Sequence, residues 1–231
     1  MRKILVLMLA VFALNAAEMT IASGAGYKKM VLEILENFEK KESIDATFGN
    51  MRQITTQALN HDISLLIGDK TFFDGVEEFK TTVNQKVGNG KLVLVYPKEK
   101  VVKNLKDLEK PEFKKIAMPD AKKAIYGKAA TQAIESANLD IKNKLIEVAT
   151  VPQAASYVIS GEVDAAFINL SEALTIKDKI GGILEVDQGL YSEIEIVVLE
   201  LESCAKKGIC KEFLDYLQTD KVKEIVTKYG L

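Results

Sequence analysis

Apolar residues along this chain come in short runs that switch between two spacings. Residues 19–22 form a brief apolar run that Gly24 and Gly26 interrupt. Met30, Val31, Ile34, Leu35 and Phe38 then recur at helical spacing, with Lys28, Lys29, Glu33, Glu36 and Lys40 between them. That pattern predicts an amphipathic helix with one buried face. Residues 44–48 read as a second strand, Gly49-Asn50 as a turn, 51–59 as a helix and 63–67 as a third strand. Strand and helix in strict alternation predict a parallel sheet covered by helices.

The second half repeats the logic. Residues 91–96 form a strong strand stopped by Pro97, and 115–118 a shorter one. A helix over 127–137 and a strand over 146–149 follow. Pro152 opens the next helix and Gly161 closes it, the favoured asymmetry of helix ends. Residues 165–168 predict a buried strand. Ile194, Ile196 and Val198 alternate with Glu193, Glu195 and Val197, which predicts a half-exposed strand. Helices over 211–218 and 220–229 end the pattern. Two runs of β/α units imply an α/β protein of two lobes. Residues 18–90 and 196–231 are assigned to lobe I, and 91–195 to lobe II. Ligands in such folds bind outside the carboxyl ends of parallel strands, near helix N-termini.

The first seventeen residues change the picture of where this happens. Arg2 and Lys3 precede an apolar stretch over 4–14, and Ala16-Ala17 offers a small-residue cleavage zone. This is the pattern of a secretory signal peptide, too short to span a bilayer comfortably. The mature chain is expected in the periplasm. Charged residues make up 28% and the net charge is −2, so no basic excess points to nucleic acid or an anionic membrane. Cys204 and Cys210 are the only cysteines. In an oxidising compartment they predict one disulfide, and two thiols are too few for a metal site. His61, the only histidine, has no carboxylate–nucleophile grouping readable around it and predicts a structural residue. No catalytic set is legible, so no enzyme activity and no cofactor are expected.

The candidate site therefore lies in the strand-to-helix turns. Ser23-Gly24-Ala25-Gly26-Tyr27 brings small residues and free N–H groups to the start of a helix. Asn50 opens the second turn as a cap or an amide donor, and Arg52 follows as an anion clamp or a solvated helix residue. Lys122 and Lys123 precede Ala124 and Tyr126 in the third turn and read as surface charges. Val151 is the last N–H donor before Pro152 in the fourth, and Asn169 follows the buried strand toward the same cleft.

The run from Ile116 to Ala130, with Tyr126-Gly127 near its end, resembles without a gap the segment IAIANPKHAPYGRAA of the periplasmic molybdate-binding proteins of ABC transporters. Residues 19–27, 62–70, 151–170 and 213–231 are similar to other stretches of that family. The resemblance implies a type II periplasmic binding fold. It also implies a tetrahedral oxyanion, molybdate or tungstate, held between the lobes by neutral donors. Carried over by position, those donors are Ala25, Gly26, Asn50, Ala124, Tyr126 and Val151. A monomer delivering its ligand to an ABC permease and ATPase is implied as well. The chain departs from the family in its first two turns, where Ala25-Gly26 and Asn50-Met51-Arg52 replace hydroxyl-bearing residues. Ser23 or Tyr27 can compensate, and backbone N–H groups survive any substitution. Arg52 in the cleft would instead suit a carboxylate or a phosphorylated metabolite. The first two turns also resemble the accessory colonisation factor-like binding proteins, which leaves another small anion, or a secreted adhesin or sensor, as alternatives.

Overall fold

The computed structural model describes residues 17–79 and 82–231, so the expected leader lies outside the described residues except for Ala17. The first lobe is built from β1 (Met19–Gly24), α1 (Lys28–Glu36), β2 (Ile44–Gly49), α2 (Met51–Asn60), β3 (Leu65–Asp69), α3 (Lys70–Asp74) and β4 (Asn84–Gly90). The chain then crosses through Lys91 into β5 (Leu92–Tyr96), β6 (Ile116–Pro119), α4 (Ile125–Ser136), β7 (Leu145–Val148), α5 (Val151–Ile159), β8 (Ala165–Asn169), α6 (Leu170–Ile176) and β9 (Gly182–Glu185). It returns as β10 (Ile194–Glu200), α7 (Gly208–Leu217) and α8 (Asp220–Lys228).

Two mixed sheets result, in the orders β2-β1-β3-β10-β4 and β7-β6-β8-β5-β9. In each, the strand that arrives across the lobe boundary runs against its neighbours: β10 is antiparallel to β3 and β4, and β5 to β8 and β9. A strand entering from the opposite lobe starts at the cleft, where the other strands end. The parallel expectation thus holds for the β/α units and gives way at the two crossovers.

Helices cover both faces of each sheet, which explains the burial. Leu92, Val93, Leu94 and Val95 are all fully buried in β5. The same cover corrects the reading of β10 as half-exposed: Ile196, Val197, Val198 and Leu199 are buried in succession. The helical spacing of the first helix runs on to Phe38. It lies two residues past α1 and still reaches the core, edge-on to Phe213 at 5.2 Å.

Cys204 and Cys210 form a disulfide with Cα atoms 5.4 Å apart. It closes a loop of six residues just before and into α7, and both cysteines are buried. Loop-closure entropy for so short a ring amounts to about 2 kcal/mol. Reduction in mild denaturant should therefore lower the unfolding free energy by about 2 kcal/mol. Ligand binding should survive it, because neither cysteine lines the cleft. Denaturant unfolding with and without dithiothreitol checks the first point. Loss of binding on reduction would contradict the second.

Candidate functional site

Four strand-to-helix turns, two from each lobe, meet in the cleft. The first follows β1, where Gly24, Ala25 and Gly26 lead through a short turn to Tyr27 and α1. The second is the start of α2. Asn50 accepts the Gln53 N–H at 2.9 Å, and the Gln53 side chain returns a bond to the Asn50 N–H at 2.9 Å. This capping box fixes the angle at which Met51 and its N–H enter the cleft. From lobe II come the start of α4, with Ala124 as its cap, and the start of α5, with Thr150 as its cap and Pro152 in the first turn. No side-chain oxygen caps either of these helices. Helix geometry leaves the N–H groups of Ile125 and Val151 without an intrahelical acceptor.

These turns enclose a cavity of about 30 Å³. Its walls are Gly24 to Tyr27, Gly49 to Met51, Ala124 to Tyr126, Thr150 and Val151. Six expected positions, Ala25, Gly26, Asn50, Ala124, Tyr126 and Val151, are thus brought together. Among the described residues, no Lys, Arg, His, Asp or Glu lines the cavity. What it offers is backbone N–H groups at positive helix ends, two phenol hydroxyls, the Thr150 hydroxyl and the Asn50 amide.

Three expected positions lie elsewhere. Arg52 sits on the exposed side of α2, and only its backbone N–H reaches across, to Lys123 O at 3.4 Å. Helical spacing turns its side chain away from the face that carries Met51, Ile54 and Thr55 into the protein. Ser23 is buried in β1, and its hydroxyl faces Gly24 O at 3.4 Å. Asn169 is buried behind the cavity wall. Its Oδ1 accepts the Glu172 N–H at 3.2 Å and caps α6, while its Nδ2 donates to Gly26 O in lobe I at 3.0 Å. Lys122 and Lys123 are exposed, and Lys123 pairs with Asp120 at 2.8 Å. The His61 ring is exposed at the end of α2.

Of the two residues considered as replacements for the missing hydroxyls, Tyr27 meets the cavity and Ser23 does not. Tyr27 and Tyr126 are buried and hydrogen-bond to each other through their hydroxyls. Burial pushes both phenols well above their ordinary range, so both stay protonated and neutral. The lobes touch around this pair. Asn50 Nδ2 points to Ala149 O at 3.4 Å, Lys29 Nζ donates to Thr175 Oγ1 at 2.6 Å, and Ser171 Oγ donates to Tyr229 O at 2.8 Å. The cleft is closed.

Two lobes joined by paired crossovers and brought together over a small cavity have the architecture of a solute-binding protein. The comparisons agree. The sequence profile of the bacterial extracellular solute-binding proteins matches residues 19–231, and the chain belongs to that family. It is 28% identical over 229 residues to the molybdate-binding protein ModA of Azotobacter vinelandii, covering 94% of this chain and 91% of that one. The solved periplasmic molybdate-binding protein of Azotobacter vinelandii superposes with a TM-score of 0.82 at 20% identity, over 92% of this chain and 97% of that one. PEB3 of Campylobacter jejuni, solved with L-phospholactate, gives a TM-score of 0.71 at 17% identity, over 92% of this chain and 98% of that one. The resemblance read from Ile116 to Ala130 thus extends over nearly the whole described chain.

Proposed function

We propose that this protein binds molybdate or tungstate in the interlobe cavity and carries it to the permease and ATPase of an ABC importer. The observation that supports this most is the cavity itself: about 30 Å³ and, among the described residues, without a charged side chain in its wall. Pockets for organic ligands of ordinary size run to roughly 300–1,000 Å³. A space about tenfold smaller suits a compact ion. Helix N-termini and preorganised N–H groups hold an anion in a dry site without a countercharge. In this reading the donors are the N–H groups of the Ala25–Gly26 turn, Met51, Ile125 and Val151, with the Tyr126 hydroxyl. In this reading the protein is a monomer, and it acts as a binder and not as a catalyst: among the described residues, the titratable groups in the wall are two phenols held neutral. No resident cofactor enters.

The rival ligand is a carboxylate or phosphorylated metabolite. It would call on a cation, and Arg52 faces solvent. Titration calorimetry of protein stripped by unfolding and refolding decides, with molybdate, tungstate, sulfate, phosphate and L-phospholactate as titrants. Tight binding of molybdate or tungstate supports the proposal. Binding of L-phospholactate alone overturns it. Arg52→Ala should leave the affinity unchanged within about twofold, as expected of a solvated surface position. A loss of about tenfold or more would restore the clamp.

A further inference from the structure

Thr150 stands where a cap belongs and does not cap. The run Thr150-Val151-Pro152-Gln153 puts a Thr at the N-cap of α5 and a Gln three residues on, the spacing from which a capping box is built. At α2 the same spacing, Asn50 and Gln53, closes both bonds of the box. At α5 the box does not form. The Thr150 hydroxyl makes no bond to the helix. Gln153 Oε1 accepts the Ala149 N–H at 3.0 Å, one residue ahead of the Thr150 N–H that a box would use.

An unformed box leaves a polar group over. Among the described residues, the Thr150 hydroxyl has no other hydrogen-bond partner either. The residue is half-buried and lines the cavity next to Val151. Its backbone is held from both sides. Thr150 O accepts the Ala154 N–H at 3.2 Å inside α5, and the preceding carbonyl, Ala149 O, faces Asn50 Nδ2 of lobe I at 3.4 Å. The turn that carries the hydroxyl is thus fixed against the lobe I wall. That wall lacks hydroxyl-bearing residues in its two turns, Ala25-Gly26 and Asn50-Met51-Arg52. Among the described residues, Thr150 brings the one aliphatic hydroxyl to the cavity lining, and it comes from lobe II.

We infer that Thr150 donates its hydroxyl hydrogen to an oxygen of the bound anion, beside the Val151 N–H, and supplies from lobe II the hydroxyl that the lobe I turns lack. This rests on the anion-binding reading above. A hydroxyl is neutral, so it adds a donor without a countercharge, in keeping with a wall of neutral groups. A Thr that bonds its own helix stabilises the free protein. One left unbonded contributes only when a ligand arrives, so the Thr150 hydroxyl acts on affinity and not on the stability of the empty protein.

The test is the pair Thr150→Val and Thr150→Ser in the whole mature protein. Valine keeps the branched shape and removes the hydroxyl, whereas serine keeps the hydroxyl. Each variant is titrated with whichever anion of the five the wild type binds, and each is melted without ligand. Thr150→Val should weaken binding by roughly tenfold or more, the loss of a hydrogen bond to a charged group. Thr150→Ser should recover most of that loss. The ligand-free Tm of Thr150→Val should stay within about 1 °C of wild type. A hydroxyl that served as a cap would give the opposite result, a Tm lowered by about 2–4 °C with the affinity kept. Wild-type affinity in Thr150→Val overturns the inference while leaving anion binding standing. A loss that serine does not restore overturns it too, because shape and not the hydroxyl would then matter. Binding of L-phospholactate only would remove the molybdate reading, and the same pair titrated with that anion would decide the role of Thr150. A wild type that binds none of the five removes both.

Discussion

Gly90→Ala should reduce anion affinity by about 100-fold or more while leaving the ligand-free fold intact. Gly90 is the last residue of β4 and pairs with Ile194 at the start of β10, where the two crossovers run side by side. The tyrosine pair sits directly on it. A Cβ at this position would overlap the Tyr126 hydroxyl and come within 2.8 Å of Tyr27 Oη and 3.0 Å of Ile194 Cγ2. In the closed form both hydroxyls would have to move and their shared bond would break. Opening the cleft draws the Tyr126 side away and relieves the overlap. The substitution therefore penalises the closed state selectively. A ligand that binds only that state loses affinity in proportion to its population, and about 3 kcal/mol of bias corresponds to about 100-fold. The contacts with Tyr27 Oη and Ile194 Cγ2 lie within the same lobe and persist in the open form. The Tyr27 tip can turn away, however, and alanine suits an extended backbone better than glycine, so the open protein loses little. Calorimetric titration gives the affinity, and small-angle scattering gives the compactness with and without anion. Wild-type affinity together with the usual compaction would mean that the hydroxyls are free to yield, and the closed geometry described here would be wrong.

The same strand shows what the sequence hid. β4 has one large apolar residue, Val87, among Asn, Gln, Lys and Gly, so hydrophobic spacing gave no sign of a strand. It is an edge strand with side chains in solvent, and its partner β10 supplies the apolar face. Gly88 and Gly90 carried the usable signal, because glycine inside a strand marks a close approach of other atoms. Here those atoms are Leu231 and the two tyrosines. The β/α units were legible because each helix buries one face and the inner strands carry short apolar runs. The reversed strands were not, since direction is set by where the chain crosses between lobes and leaves no mark on spacing.

The candidate site divides along the same line. Ala25, Gly26, Asn50, Ala124, Tyr126 and Val151 meet because each stands at a strand-to-helix turn, a local feature. Arg52 was ambiguous because helical phase depends on where the helix begins, and the Asn50 capping box places Arg52 on the outer side. Asn169 reads in the sequence as a ligand donor, and its amide is committed to α6 and to Gly26. Which polar group faces a ligand and which faces a neighbouring wall is a tertiary fact. It follows from the distance between two lobes.

Gly127→Ala tests the motif that carried the resemblance, and its effect should fall on stability. Gly127 is the third residue of α4, directly after Tyr126. A Cβ there would overlap Pro119 O and lie 2.6 Å from the Asp120 carbonyl carbon and oxygen. These are backbone atoms at the end of β6, held by the Asp120 N–H bond to Val148 O at 2.8 Å. They cannot rotate away as a tyrosine tip can, so the whole start of α4 must back off. Helix propensity favours alanine over glycine by about 1 kcal/mol. Overpacking of a fitted contact costs up to about 3 kcal/mol. The net expectation is a loss of about 2 kcal/mol in unfolding free energy, present with or without anion. Binding should weaken too, because α4 carries Ile125 and Tyr126 to the cavity wall. The two glycines thus separate by readout: Gly90→Ala acts on closure with stability kept, and Gly127→Ala acts on stability first. Urea unfolding of both variants without ligand distinguishes them. A Gly127→Ala protein as stable as wild type would show that α4 can shift at no cost. The pairing of Tyr126 with a following glycine would then need a reason other than the close fit of α4 against the end of β6.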